Sequence, residues 1–161
     1  MKKFIPFVLI LLIFSCKSTT KVISNANTDS IIASEVKTIV SFLASDDLKG
    51  RDTGSPGINK AANFIEDKFK AFGIQPYFKA YRDEFQVGTL NAYNVVGYLE
   101  GNDPKLKDQF VIVGAHYDHI GVRKTTESDS IANGANDNAA GTAGVLTIGK
   151  YFASQKNNKR S

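Results

Sequence analysis

From residue 29 onward, apolar positions recur first with a helical period and then with a strand period. Over residues 30–45, Ile32, Val36, Ile39, Val40 and Leu43 fall on one face, the stripe of a helix packed against something flat. In "GSPGINKAANFIEDKFKAFGIQP", Ser55 is placed to cap a helix and Pro56 suits its first turn. Ile58, Ala62, Ile65, Phe69 and Phe72 make its buried stripe, and Gly73 followed by Pro76 ends it. Two strands are predicted over 77–87 and 90–99, joined by a turn at Gly88. After the polar turn "GNDPKLKD" comes "QFVIVGA", apolar without alternation, the pattern of a central strand covered on both faces. Finally, "DNAAGTAGVLTIGKYFAS" predicts a helix over 138–155 with Val145, Ile148 and Phe152 on its buried side. Its small residues Ala139, Ala140, Gly141, Ala143 and Gly144 would let it press closely on the preceding strand. The expected class is α/β: a mixed, mostly parallel-core sheet sandwiched between helices, with no internal repeat and no second domain.

Ahead of this region the pattern is different. "MKKFIPFVLILLIFSC" carries two lysines and then an apolar stretch from Phe4 to Phe14, short for a transmembrane helix and laid out as a secretory signal. Ser15 and Cys16 at its end resemble the lipobox of bacterial lipoproteins, in which cleavage precedes a cysteine that becomes lipidated. That resemblance implies export to a bacterial cell envelope and a membrane anchor on Cys16. The segment 17–28, rich in Ser, Thr and Asn, reads as a flexible tether, leaving 29–161 as the folded part. Cys16 is the sole cysteine, so the folded part has neither a disulfide nor a thiol nucleophile. The whole chain has a net charge of +4. Without Lys2 and Lys3 it carries 18 basic against 16 acidic residues, and no basic run fit to bind nucleic acid.

The candidate chemistry begins in "GAHYDHIG", Gly114–Gly121, which holds both histidines of the chain. Alternation along a strand puts His116 and Asp118 on one side and turns Tyr117 away. A carboxylate beside an imidazole can take the ring N–H and leave the other nitrogen for a metal, or can simply satisfy a strand-end histidine. The second stretch, "NGANDNAAG", Asn133–Gly141, places Asp137 where a loop enters a helix at the edge of the sheet. There Asp137 is a site candidate, and capping of the helix by Asp137 or Asn138 is the plain alternative.

These two motifs, with "LASDDLKGRDTGSPGINKAANFI" upstream and "NVVGYLEG" at Asn94–Gly101, resemble the co-catalytic zinc aminopeptidases, a family that also includes glutamate carboxypeptidase, glutaminyl cyclase and a receptor ectodomain. The resemblance covers roughly residues 31–155. It implies that His116 is a terminal ligand of one Zn2+, that Asp137 bridges two Zn2+ ions, and that Asp118 belongs to the catalytic group by orienting His116. It also implies a cis peptide after Asp137. Imidazole and carboxylate are normal zinc ligands, and a hydroxide shared by the two ions would attack a peptide carbonyl. The substrate so implied is a peptide cleaved at its amino terminus. His119 matches no ligand position and reads as a wall of the cleft, while Arg51 and Asp52 in the "GRDTG" turn have no assigned chemistry. For Arg51 a structural role, tying down a loop, is expected.

The ligand set is short. A catalytic zinc takes roughly three protein ligands, and the adjacent glutamates, further aspartate and second histidine of the family's pattern are not found here. The chain is therefore expected to be the N-terminal part of a longer peptidase, inactive by itself. A non-catalytic binding relative and a glutaminyl cyclase-like enzyme are the two other readings of the same residues.

Overall fold

The computed structural model of the chain describes residues 31–124 and 129–161. The signal-like segment, Cys16 and the tether lie outside the described residues. No described helix is long and apolar enough to cross a membrane.

Helix α1 spans Ala33–Leu43 and buries Ile39 and Leu43, with Val36 and Val40 packed beside them, the face its period predicts. Ile32, at its amino-terminal edge, stays exposed. A short 3-10 segment, Asp46–Arg51, leads toward helix α2, Pro56–Ala71. The Ile58 N–H donates to Ser55 Oγ at 3.3 Å, so the serine caps as its position suggests. The stripe Ile58, Ala62, Ile65 and Phe69 is buried, and Gly73 ends the helix at φ 73°.

Among the described residues four strands follow, paired in two small antiparallel sheets. Strand β1 (Gln75–Pro76) pairs with β4 (Gly97–Tyr98), and β2 (Arg82–Val87) pairs with β3 (Leu90–Val95) as a hairpin. Gly88, at φ 61°, sits in the hairpin turn. The predicted strand 77–87 is thus shorter at its start, and the strand 90–99 is split in two.

The run 109–115 forms no strand, in contrast to the expectation of a central one. Phe110, Val111, Ile112 and Val113 are exposed, Ile112 to 90%. A strand covered on both faces needs ladder partners on both edges; among the described residues the run has one backbone bond to a distant stretch of chain, Val111 N–H to Ser161 O at 2.8 Å. Mixed helix and antiparallel pairs are what the described residues show; a parallel-core sandwich is not seen among them.

Helix α3, Ala140–Ser154, is preceded by an irregular turn over Ala135–Ala139. Its buried side is Thr142, Ala143, Leu146 and Thr147, rather than the predicted Val145, Ile148 and Phe152, and Phe152 is 45% exposed. The phase is set by α1 and α2, whose Ile39, Leu43, Ile65 and Phe69 join Ala139, Ala143 and Leu146 in one core. The small residues also act differently from the expectation. Ala139 and Ala143 are fully buried, whereas Ala140 is exposed and a Cβ on Gly144 would meet nothing within 4 Å. Gly144 is therefore not a close-approach point.

Candidate metal site

His116 and Asp118 project together and Tyr117 turns away, as alternation predicts, although no strand is formed. Tyr117 lies against the core and its hydroxyl donates to Tyr93 O at 2.9 Å. Burial pushes the Tyr117 phenol above its ordinary pKa, which keeps that donor protonated. On the other side, His116 Nδ1 lies 3.3 Å from Asp118 Oδ1 and 3.1 Å from the Asp118 carbonyl oxygen. Both of these are acceptors, so Nδ1 carries the proton. His116 Nε2 then faces Asp137 Oδ1 at 3.1 Å.

The loop into α3 brings Asp137 there. The Asp137–Asn138 peptide is cis, as the resemblance implies. Gly134, at φ 60°, turns the chain where a side chain would strike the Asp137 carbonyl oxygen at 2.5 Å and Arg51 Nη2 at 2.7 Å. Capping falls to Asn138, whose Oδ1 accepts the Gly141 N–H at 3.0 Å. Asp137 is left to face the imidazoles, with His119 Nδ1 at 3.8 Å from its Oδ2. His119 is mostly shielded, and its backbone N–H donates to Arg51 O at 3.1 Å, consistent with a wall residue.

Two supporting residues, Thr53 and Thr142, carried little signal in the sequence, while a third, Arg51, was expected to tie down a loop. Thr53 Oγ1 donates to Asp118 Oδ2 at 3.2 Å, fixing the carboxylate that holds His116. Thr142 Oγ1 reaches His116 O at 3.2 Å and Asn138 O at 3.1 Å, joining the two motifs. Arg51 is fully buried with its side chain bonded to backbone carbonyls, so the expected structural role is met in kind. Burial lowers its pKa, and the nearby charges of Asp118 and Asp137 act the other way. Asp52 is exposed, and its carbonyl accepts the Ser55 N–H at 3.0 Å.

Two donors bound to one tetrahedral zinc at about 2.0–2.2 Å lie roughly 3.3–3.6 Å from each other. The His116 Nε2 to Asp137 Oδ1 separation of 3.1 Å is close to that span. The donor types also fit. Among the described residues, however, no group of three or more His, Cys, Asp or Glu is arranged to hold a metal ion. The residues present fit part of a zinc site.

An imidazole whose outer nitrogen meets a carboxylate, held from behind by a second carboxylate, is an arrangement compatible with part of a metal site. Residues 94–161, which contain His116, Asp118 and Asp137, match the model of Peptidase family M28. No curated protein and no solved structure matches the chain significantly.

Proposed function

We propose that this chain is part of a zinc-dependent exopeptidase, most simply an aminopeptidase, in which His116 and Asp137 hold metal and Asp118 orients His116. The observation that carries the reading is the approach of His116 Nε2 to Asp137 Oδ1 at 3.1 Å while Nδ1 is committed to Asp118. With the proton on Nδ1, two lone pairs face each other across that gap. A second ring proton or a cation must lie between them. The family match favours a metal cation.

Each residue then has a task. Asp118 keeps the proton on Nδ1 and so leaves Nε2 as a ligand, Thr53 holds Asp118 in place, and Asp137 has two carboxylate oxygens with which to bridge two ions. Bound zinc supplies Lewis-acid polarisation of a scissile carbonyl and lowers the pKa of water toward neutrality. Two protein ligands fall short of the roughly three that a catalytic zinc takes. The proposal therefore includes further carboxylates, a second histidine and a general base supplied by downstream sequence. It also includes the mixed, mostly parallel sheet, for which the exposed apolar run Phe110–Val113 gives support. Export and a lipid anchor on Cys16 belong to the same proposal and rest on the signal-like segment.

The test has two arms. Zinc competition against a chromophoric chelator should show weak binding by this chain that His116→Ala and Asp137→Asn each abolish. Leucine- and alanine-amide hydrolysis should be absent in this chain and appear, sensitive to chelator, when the downstream reading frame is included. Binding indifferent to both substitutions would refute the metal assignment. An extended chain that binds zinc yet leaves the amides intact would point to the binding relative or, with turnover of amino-terminal glutamine, to cyclisation.

A further inference from the structure

We infer that Arg51 is the positioning residue of this site: its guanidinium fastens the loop bearing His116 to the loop bearing Asp137, and so sets the distance between the two side chains. The catalytic consequence rests on the zinc reading above; the fastening itself rests on geometry alone.

The contacts come from three distant stretches of chain. Arg51 Nε donates to Tyr117 O at 2.8 Å, the carbonyl between His116 and Asp118. Nη1 donates to Asn133 O at 2.7 Å and Nη2 to Gly134 O at 3.0 Å, at the head of the loop that delivers Asp137. Nη1 also donates to Leu43 O, at the end of α1. The backbone adds a further tie, because Arg51 O accepts the His119 N–H. Nearly every donor direction of the fork is thus spent on main-chain oxygen rather than on a carboxylate.

This use of an arginine is specific. The side chain is 0% exposed, and a charge taken out of water is tolerated only when its hydrogen bonds are met. The backbone is shaped to deliver it: Lys49, Gly50 and Arg51 stand at φ 47°, 70° and 52°, a left-handed run that ordinary residues avoid. Lysine would keep the charge, but a compact ammonium cannot present a planar fork to carbonyls on both loops at once. Charge alone would neutralise the neighbourhood of Asp118 and Asp137 equally well with either residue. Geometry separates the two explanations, since only the fork can hold both loops.

The test compares the full chain with Arg51→Lys. Zinc affinity by chelator competition should fall about 10–100-fold, the usual effect of losing a group that orients ligands. The visible bands of the Co2+-loaded protein should shift. Amide exchange should quicken in residues 115–121 and 132–139 while α2 is unchanged. Wild-type affinity, spectrum and exchange in Arg51→Lys would overturn the inference. If the wild-type chain itself binds neither zinc nor cobalt, the zinc reading fails, and exchange alone decides: loosening of both loops upholds the fastening and no change overturns it. If Arg51→Lys does not fold, the side-chain N–H signals of Arg51 in the wild-type protein decide. Slowly exchanging, separately resolved Nη protons uphold the inference, and a freely rotating guanidinium overturns it.

Discussion

Gly50→Ala is the sharpest probe of how the site is assembled. Gly50 has φ 70°, and a Cβ built there would lie 2.4 Å from Gly121 O and 2.6 Å from Ala132 O. Both obstacles are backbone, and both belong to loops that frame the site. They are also tied to each other and to Gly50: Gly121 N–H donates to Gly50 O at 3.1 Å, and Ala132 N–H donates to Gly121 O at 2.9 Å. The left-handed conformation costs a non-glycine residue about 1–2 kcal/mol, and overpacking against fixed atoms adds about 1–3 kcal/mol. A loss of roughly 2–5 kcal/mol is expected, a large share of the roughly 5–15 kcal/mol that holds a domain folded.

Two controls separate these contributions. Gly73 and Gly88 also have positive φ, 73° and 61°, but a Cβ on either meets nothing within 4 Å. Alanine there should cost only the conformational part, about 1–2 kcal/mol. In urea melts followed by circular dichroism, slopes of about 1–3 kcal/mol per M make the difference a midpoint shift of roughly 1 M. A Gly50→Ala midpoint equal to those of the two controls would refute the claim that this glycine is required by close approach.

Two further outcomes are expected. Leu146, 1% exposed in the core shared by α1, α2 and α3, should cost about 2–5 kcal/mol as Leu146→Ala, read from the same melts; a change below about 0.5 kcal/mol would mean that α3 does not pack as described. If Cys16 is lipidated as proposed, the protein should partition with membranes and Cys16→Ser should release it, since the substitution removes the site of lipid attachment; wild-type protein recovered wholly in the soluble fraction would contradict the anchor.

What the sequence made legible was local. The face of α1, the Ser55 cap, the Gly73 stop and the hairpin turn at Gly88 each depend on residues within a few positions of one another, and each is found. The side-by-side projection of His116 and Asp118 was legible for the same reason. The phase of α3 was not, because it follows from where α1 and α2 lie, and Leu146 rather than Val145 meets them. The pairing of β1 with β4 joins residues more than twenty positions apart and split a strand that period alone had drawn as continuous. The run 109–115 stands outside any strand because an apolar pattern forms a ladder only where edges are present to pair with it.

Arg51 marks the limit of such reading most clearly. The turn "GRDTG" suggested an arginine that ties down a loop but not its partners, the carbonyls of Tyr117, Asn133 and Gly134. Asp118 and Asp137 bring two negative charges near one buried positive charge. The guanidinium makes no hydrogen bond to either carboxylate. Asp118 is engaged by Thr53 and His116, whereas Asp137 keeps a side chain 63% exposed, flanked by two imidazoles. Of the two carboxylates, Asp137 is the more exposed, and it faces His116 Nε2 at 3.1 Å. A cation placed there gains from both, and the fold has already fixed the two loops that hold them.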